Sequence, residues 1–471
     1  MDFPLKKRLI LVLAFFLFLS GCQPALLKLR PALEEEGEVL LYTEPFPQEA
    51  DRLRFNIEGI LAIMGDGKEF PLSVSLRELK ARDLKRQRLL ASGQLPPGPY
   101  LGFSFKVNKA FLKVEEGEAN LLVPEVPVRI DFPFQVNRKK GSVISLTFRY
   151  SESISGGFSF SPVFSMVIPA KPILSLTGYV TNLSSNNITV FDKRLRKALA
   201  VIVTGRGPAG MAFDQRLGRA YVALSGDDRI DLIDITAGEV INQIRLNTGD
   251  QPQELALTPD GKILLVANRG SNTVCLIDSF SLLELKRVDV GKEPHSILIH
   301  PNGTRAFVFN TLSSTISVID IPNKAVAATI STDPGPLRGQ LNRRGDRLYV
   351  IHEWSSYLTV LDPSSLSVSR RFAVRMGMTS IKVDTQTDLI YMGRARDTVV
   401  EVYDPFSFVA VDSINTGGSI TYVTIDGDEN YLYLLNSDMK SLMFSSLLRK
   451  RIISEIDVGE GPYWVSMMGE R

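Results

Sequence analysis

Cysteine, histidine and tryptophan are nearly absent from this chain: two Cys, three His and two Trp occur in 471 residues. Three imidazoles (His295, His300 and His352), with no Met–His cluster at metal spacing, leave no ligand set for a copper or haem centre. No Cys-x-x-Cys-His occurs, which excludes covalently attached c-type haem. His-Glu-x-x-His, Gly-x-Ser-x-Gly, a Walker loop and paired Cys ligands are missing too, and with them the common hydrolase and nucleotide chemistries. No metal and no cofactor are therefore expected. An excess of one charge is also lacking, with 54 Lys+Arg against 52 Asp+Glu. A nucleic-acid partner needs a basic face, and this balance supplies none in bulk. The longest greasy run, Leu9 to Leu19, is too short to stay in a bilayer as a spanning helix.

What is present instead is a repeat. A strand-like phrase, Tyr179-Val180-Thr181-Asn182, returns at Tyr221, Leu265, Phe307, Tyr349, Tyr391 and Tyr433. The steps are 42, 44, 42, 42, 42 and 42 residues. A period of this size built of short strands predicts a β-propeller with one repeat per blade. In the third copy, strands are expected over Gln253–Leu257, Ile263–Asn268, Thr273–Asp278 and Leu282–Val290. The turn Thr258-Pro259-Asp260-Gly261-Lys262 separates the first two, Asp-Gly supplying the positive φ of a tight hairpin. Pro208, Pro252, Pro294, Pro336, Met378, Ile420 and Pro462 open the first strands. The first copy lacks a first strand, and Pro462 to Met468 supplies one at the other end. The C-terminus is thus expected to complete the blade that begins at Gly178, leaving no open edge.

The phrase, the Gly-x-x-Pro blade starts and the Pro259–Lys262 turn resemble the YVTN family of seven-bladed propellers of surface-layer and envelope proteins. The likeness covers residues 172–471. Leu224, His352 and Arg394 depart from the usual Asn. The Gly-His and Trp-Asp pairing of WD40 blades is missing.

At the front, Lys6-Lys7-Arg8, the apolar run and small residues before Cys22 read as a secretory signal over residues 1–21. Leu19-Ser20-Gly21-Cys22 resembles the bacterial lipobox, which implies acylation of Cys22 and a stable membrane anchor without a spanning helix. Gln23, rather than Asp, after the Cys favours the outer membrane and periplasm. Loss of residues 1–21 lowers Lys+Arg from 54 to 51 and Asp+Glu from 52 to 51, a neutral chain. With Cys22 acylated, Cys275 has no disulfide partner, and its apolar strand makes it a small core residue.

Residues 22–38, with Pro24, Pro31 and Glu34-Glu35-Glu36, read as a tether. Residues 39–170 alternate enough to predict a β-sandwich, in which Leu76 to Leu90 is a helix or a solvated loop. Leu95-Pro96-Pro97-Gly98-Pro99-Tyr100 resembles the turn before a strand in prealbumin-like modules. The wider pattern resembles an uncharacterised sandwich domain of bacterial lipoproteins, which implies a spacer or binding module. The expectation is an all-β chain: signal peptide, tether, small sandwich and seven-bladed propeller.

Asp426-Gly427-Asp428-Glu429-Asn430 begins like a calcium loop but lacks its later Gly and terminal Glu. It falls where other blades turn from first to second strand, so it reads as turn chemistry. The candidate site is the central channel. Residues just after each blade start place Gln253, Glu254, His295, Arg338, Tyr422, Tyr463 and Trp464 around one funnel, a polar ring with aromatics suited to a small ligand. One reading makes it catalytic, with His295 as general base, Arg338 holding an anion and Glu254 orienting the His. That set resembles the channel of seven-bladed lactonases, although their own motifs are missing. The first reading is a lipid-anchored envelope protein whose propeller binds or scaffolds a macromolecule or saccharide. A lactonase-like hydrolase and an accessory to envelope redox or metal proteins are the alternatives.

Overall fold

The computed structural model describes residues 29–115, 117–428 and 430–470. Leu19, Ser20, Gly21 and Cys22 lie outside them. Among the described residues, helix is confined to Tyr150–Ser153 and three short 3-10 turns; the rest of the regular structure is strand.

Seven four-stranded antiparallel sheets form the propeller. Blade 3 comprises Pro252–Leu257, Ile263–Asn268, Thr273–Asp278 and Glu284–Asp289, within two residues of the expected bounds. The inner strands of the other blades are Pro208–Asp214, Pro294–Ile299, Pro336–Leu341, Met378–Val383, Ile420–Ile425 and Pro462–Met467. The last pairs with Thr177–Asn182 of blade 1, so the ring closes as expected. Thr177–Asn182 is buried at every position, because each sheet is sandwiched between two neighbours.

The lettering of the repeat has a physical cause. Its Tyr hydroxyls cross to the next blade: Tyr221 Oη donates to the Ser279 carbonyl at 2.9 Å, and Tyr179 Oη to that of Ile235 at 3.4 Å. Its Asn amides tie the second strand to the third, Asn182 Nδ2 reaching Asn187 Oδ1 at 2.8 Å and Asn310 Nδ2 reaching Ser317 Oγ at 2.9 Å. His352 takes over this role in blade 5. Its Nδ1 lies 3.1 Å from the Tyr357 carbonyl and so carries the proton, leaving Nε2 to accept from Thr332 Oγ1 at 2.8 Å.

That substitution predicts an acid sensitivity. Burial pushes the His352 imidazole down to about 4. Between the ordinary imidazole range and pH 4 the unfolded chain takes up a proton that the folded chain refuses, so stability falls as pH falls. The loss contributed by His352 should reach about 2–3 kcal/mol by pH 4.5. Urea midpoints at pH 7 and 4.5 check it: His352→Asn, the residue blade 4 carries at Asn310, should shrink the difference by that amount.

Residues 37–167 form a β-rich domain. Its two expected layers are joined as one ten-stranded hydrogen-bonded sheet. Glu69–Val74 is the corner, pairing with Leu53–Met64 through its first half and with Arg88–Leu95 through its second. Phe46, Phe55, Phe148, Phe160 and Phe164 fill the fold between the layers, Phe46 and Phe148 stacking at 4.4 Å. Tyr100, in the turn likened to prealbumin modules, donates from Oη to the Pro96 carbonyl at 3.0 Å.

The stretch Leu76 to Leu90 is neither a helix nor a solvated loop. It holds the strand Glu78–Lys80 and a 3-10 turn, and its basic end docks on the propeller. Asp457 of blade 7 accepts from Arg86 Nη1 at 2.7 Å, Arg88 Nε at 2.8 Å and the Leu89 N–H at 3.0 Å. Gln87 Oε1 accepts from the Ala198 N–H at 2.9 Å, and Tyr42, Val143, Ala198 and Val201 pack beside it. Gly141 is required there, since a Cβ would sit 2.7 Å from the Val201 carbonyl oxygen. The tether is also less free than its composition suggests. Arg30 pairs with Glu460 at 2.8 Å, Asn186 Nδ2 donates to the Arg30 carbonyl at 2.7 Å, and Gly37–Thr43 is already a buried strand.

Candidate functional site

Each inner strand starts with an irregularity. Pairing slips between Pro252 and Glu254, Pro294 and Ser296, Pro336 and Arg338, and Ile420 and Tyr422. A bulge puts two consecutive residues where a regular strand would place one, and re-aims both. Gln253 and Glu254, His295, Arg338, Tyr422, and Tyr463 and Trp464 all occupy these bulged positions. Gly210, at the matching point of blade 2, makes room: a Cβ there would lie 2.9 Å from the Glu254 Cα.

The structure brings four of the seven candidates together. Arg338, 8% exposed, forms an ion pair with Glu254, 1% exposed. The guanidinium also lies over the rings of Tyr422 at 5.1 Å and Trp464 at 5.0 Å, and those rings meet at 4.4 Å. This is an ion pair with a cation–π floor. Separately, Gln253 Nε2 donates to Tyr463 Oη at 2.7 Å.

His295 is placed differently from the catalytic arrangement. Its Nδ1 is buried without a hydrogen-bond partner among the described residues, and Glu254 is engaged with Arg338. Burial first, then the charge of Arg338, pushes the imidazole down to about 3. Burial also pushes the Glu254 carboxyl up to about 7, against the pull of Arg338. Burial opposes the charge on Arg338, but Glu254 beside it raises the guanidinium above its ordinary range. The result is a neutral imidazole beside an ion pair in which the acid is engaged by Arg338 rather than by the base it would have oriented.

The calcium-like turn is committed elsewhere. Asp426 accepts from Lys193 Nζ at 3.0 Å, and both side chains are fully buried. Lys193 also donates to the Met468 carbonyl at 2.7 Å. Among the described residues no group of three or more His, Cys, Asp or Glu is arranged to hold a metal ion. Cys275 is buried, accepts from Asn268 Nδ2 at 3.0 Å, and burial pushes its thiol up to about 12, in keeping with a core role.

Sequence reasoning missed a cleft of about 930 Å³. It lies between the β-rich domain, the link at residues 168–174 and the outer parts of blades 1 and 2. Asp231, which lines it, is fully buried and holds Gln243 Nε2 at 2.8 Å. The one local signal was an Asp where the third strands of neighbouring blades carry Thr189 and Cys275.

Residues 198–388 match the family model described as a YNCE-like beta-propeller. No curated protein matches. Among solved structures, hydrazine synthase of Kuenenia stuttgartiensis is similar at 18% identity and a TM-score of 0.50, over 61% of this chain and 94% of that one. Dihydro-heme d1 dehydrogenase NirN in complex with DHE is similar at 15% identity and a TM-score of 0.51, over 64% and 77%. A functionally unknown protein from Desulfotomaculum acetoxidans DSM 771 is similar at 12% identity and a TM-score of 0.54, over 62% and 98%. At such identities the likeness is one of fold. The C-terminal three-fifths of the chain is a seven-bladed β-propeller, YNCE-like over residues 198–388.

Proposed function

We propose that this is a lipid-anchored cell-envelope protein of the YVTN type whose propeller binds or scaffolds a macromolecule or saccharide without catalysing a reaction. The observation that carries the reading is how the channel groups are used. Arg338 is held by Glu254 and two rings, and Gln253 by Tyr463. Such a constellation is preorganised and rigid, suited to presenting a surface. A hydrolase needs a base within reach of a proton and oriented by a partner. His295 Nδ1 has no hydrogen-bond partner among the described residues, Glu254 is paired with Arg338, and the imidazole's basicity is depressed. The anchor rests on Leu19-Ser20-Gly21-Cys22, and the outer membrane and periplasm on Gln23.

A crosslinking pull-down from intact envelopes tests it, with the acylated full chain against Cys22→Ser. The expected result is one envelope partner or glycan recovered in near-stoichiometric amount with the acylated chain. A haem or metal protein as that partner would instead assign the accessory role. An empty pull-down from a correctly anchored chain, with lactone hydrolysis that His295→Ala abolishes, would overturn the reading in favour of the hydrolase.

A further inference from the structure

One face of the propeller is defined by the turns between second and third strands and by the links from one blade to the next. The two sets of loops are hydrogen-bonded to each other: Ser225 N–H to the Gly207 carbonyl at 2.9 Å, Thr311 N–H to Glu293 at 3.0 Å, and Glu353 N–H to Gly335 at 2.8 Å. The inner strands begin on this face, so the channel residues open onto it. The chain arrives there too. Arg30 and Pro31 are held by Glu460 and Asn186, and Leu29 reaches Gly207 and Gly226 between blades 1 and 2.

Across the ring, the same face carries an apolar arc. Leu312 is 58% exposed, Trp354 46%, Tyr357 44% and Met376 62%, on the loops of blades 4 and 5, at the start of the third strand of blade 5 and on the link to blade 6. In a ring of seven, blade 5 lies opposite the junction of blades 1 and 2. Several charges between are paired at home, Arg206 with Asp227 at 2.6 Å and Lys440 with Glu460 at 3.1 Å. The face therefore offers aromatic and aliphatic contact, with the exposed cations Arg375 and Arg396 flanking Met376.

We propose that this face lies against the membrane surface, with Trp354, Tyr357, Met376 and Leu312 seated at headgroup level and the channel mouth turned toward the lipid. The proposal rests on the lipid-anchor reading above. Seven residue steps separate Cys22 from Leu29 and span at most about 25 Å. An anchor at Cys22 thus brings the membrane to the side of the propeller where Leu29 is fixed. Trp and Tyr are the residues that favour the interfacial zone, where the ring is buried and its polar end stays wet. One lipidated residue at one edge and an apolar arc at the opposite edge give two points of attachment, which orient a rigid disc. The far face also exposes apolar side chains, Phe280, Phe406 and Leu448, but no anchored segment leads to it.

Trp354 and Trp464 are the two tryptophans of the chain, so Trp464→Phe leaves Trp354 as the sole reporter. The acylated Trp464→Phe protein is reconstituted in phosphatidylcholine vesicles with and without dibrominated acyl chains. Acylation is read by mass and anchoring by flotation, with Cys22→Ser as reference. Interfacial seating predicts a roughly two-fold or greater loss of Trp354 emission on bromolipid. A tryptophan placed on the far face by Phe406→Trp, with Trp354→Phe and Trp464→Phe, should be unaffected. Emission from Trp354 that is insensitive to bromolipid in a chain that floats and is acylated overturns the face assignment alone. Equal quenching at both positions overturns it as well. A Cys22 without acyl chains, in a chain that does not float, overturns the anchor and the orientation together.

Discussion

Replacing Lys193 by Met should lower the stability of the propeller by about 3–5 kcal/mol, the cost of leaving a buried charge without its partner. Lys193 and Asp426 are both fully buried, and the ammonium also satisfies the Met468 carbonyl. Asp426 belongs to the turn after the inner strand of blade 7, Lys193 to the turn after the third strand of blade 1, and Met468 follows the closing strand. The three groups are thus a clasp across the seam where the two ends of the repeat array meet. The Gly427 N–H donating to the Gly469 carbonyl at 2.9 Å fastens the same place. A solenoid-like array relies on closure to hide its edges, so the loss should be felt first there. Hydrogen exchange at Thr177–Asn182 and Pro462–Met467 should accelerate before that of blades 3 to 5. Adding Asp426→Asn should restore more than half of the loss, because the orphaned carboxylate is then neutral. Urea unfolding of the two variants checks the numbers. Equal stability of Lys193→Met and the parent would show that the clasp does not hold the ring.

The period of the repeat was legible because the second strand of each blade is buried on both faces and its Tyr and Asn make bonds that the next blade repeats. Ring closure could be read from a missing first strand at one end and a spare one at the other. The channel positions followed from register, since each lies just after a blade start; which of them touch did not. That depends on the reach of side chains across a ring whose diameter no local pattern encodes, and it placed Glu254 on Arg338 rather than on His295. The two seams escaped notice for a related reason. Asp457 and Arg86 are separated by 371 residues, and Lys193 and Asp426 by 233. A charged residue in a turn looks solvated until the fold covers it. The curled sheet of the β-rich domain was half legible: alternation gave its strands, but nothing in Glu69–Val74 announced a corner.

Arg338→Met should cost a similar amount, about 3–5 kcal/mol, because Glu254 would be left 1% exposed without a counter-charge. Its pH dependence separates this origin from simple loss of packing. In the variant the Glu254 carboxyl has lost the guanidinium that pulled against burial, so its folded-state pKa rises further above the unfolded value. A carboxyl raised in this way is bound to more protons when folded than when unfolded. Stability is then greatest below the ordinary carboxylate range and is lost as pH rises through the folded value. Arg338→Met should therefore be most impaired near neutrality and partly rescued near pH 5. In the parent Glu254, already raised to about 7, makes a smaller contribution of the same sign, set against the losses through His295 and His352. Glu254→Gln in the same chain should abolish the rescue and return most of the loss at pH 7. The rings of Tyr422 and Trp464 meet one another at 4.4 Å, and Met can cover them, so the aromatic floor should survive. Guanidinium unfolding at pH 5 and 7 reads the sign directly. If Arg338→Met is equally destabilised at both, the Glu254 carboxylate is not the charge that Arg338 neutralises. The mouth of the channel would then be held by packing alone, and ligand binding there should tolerate either substitution.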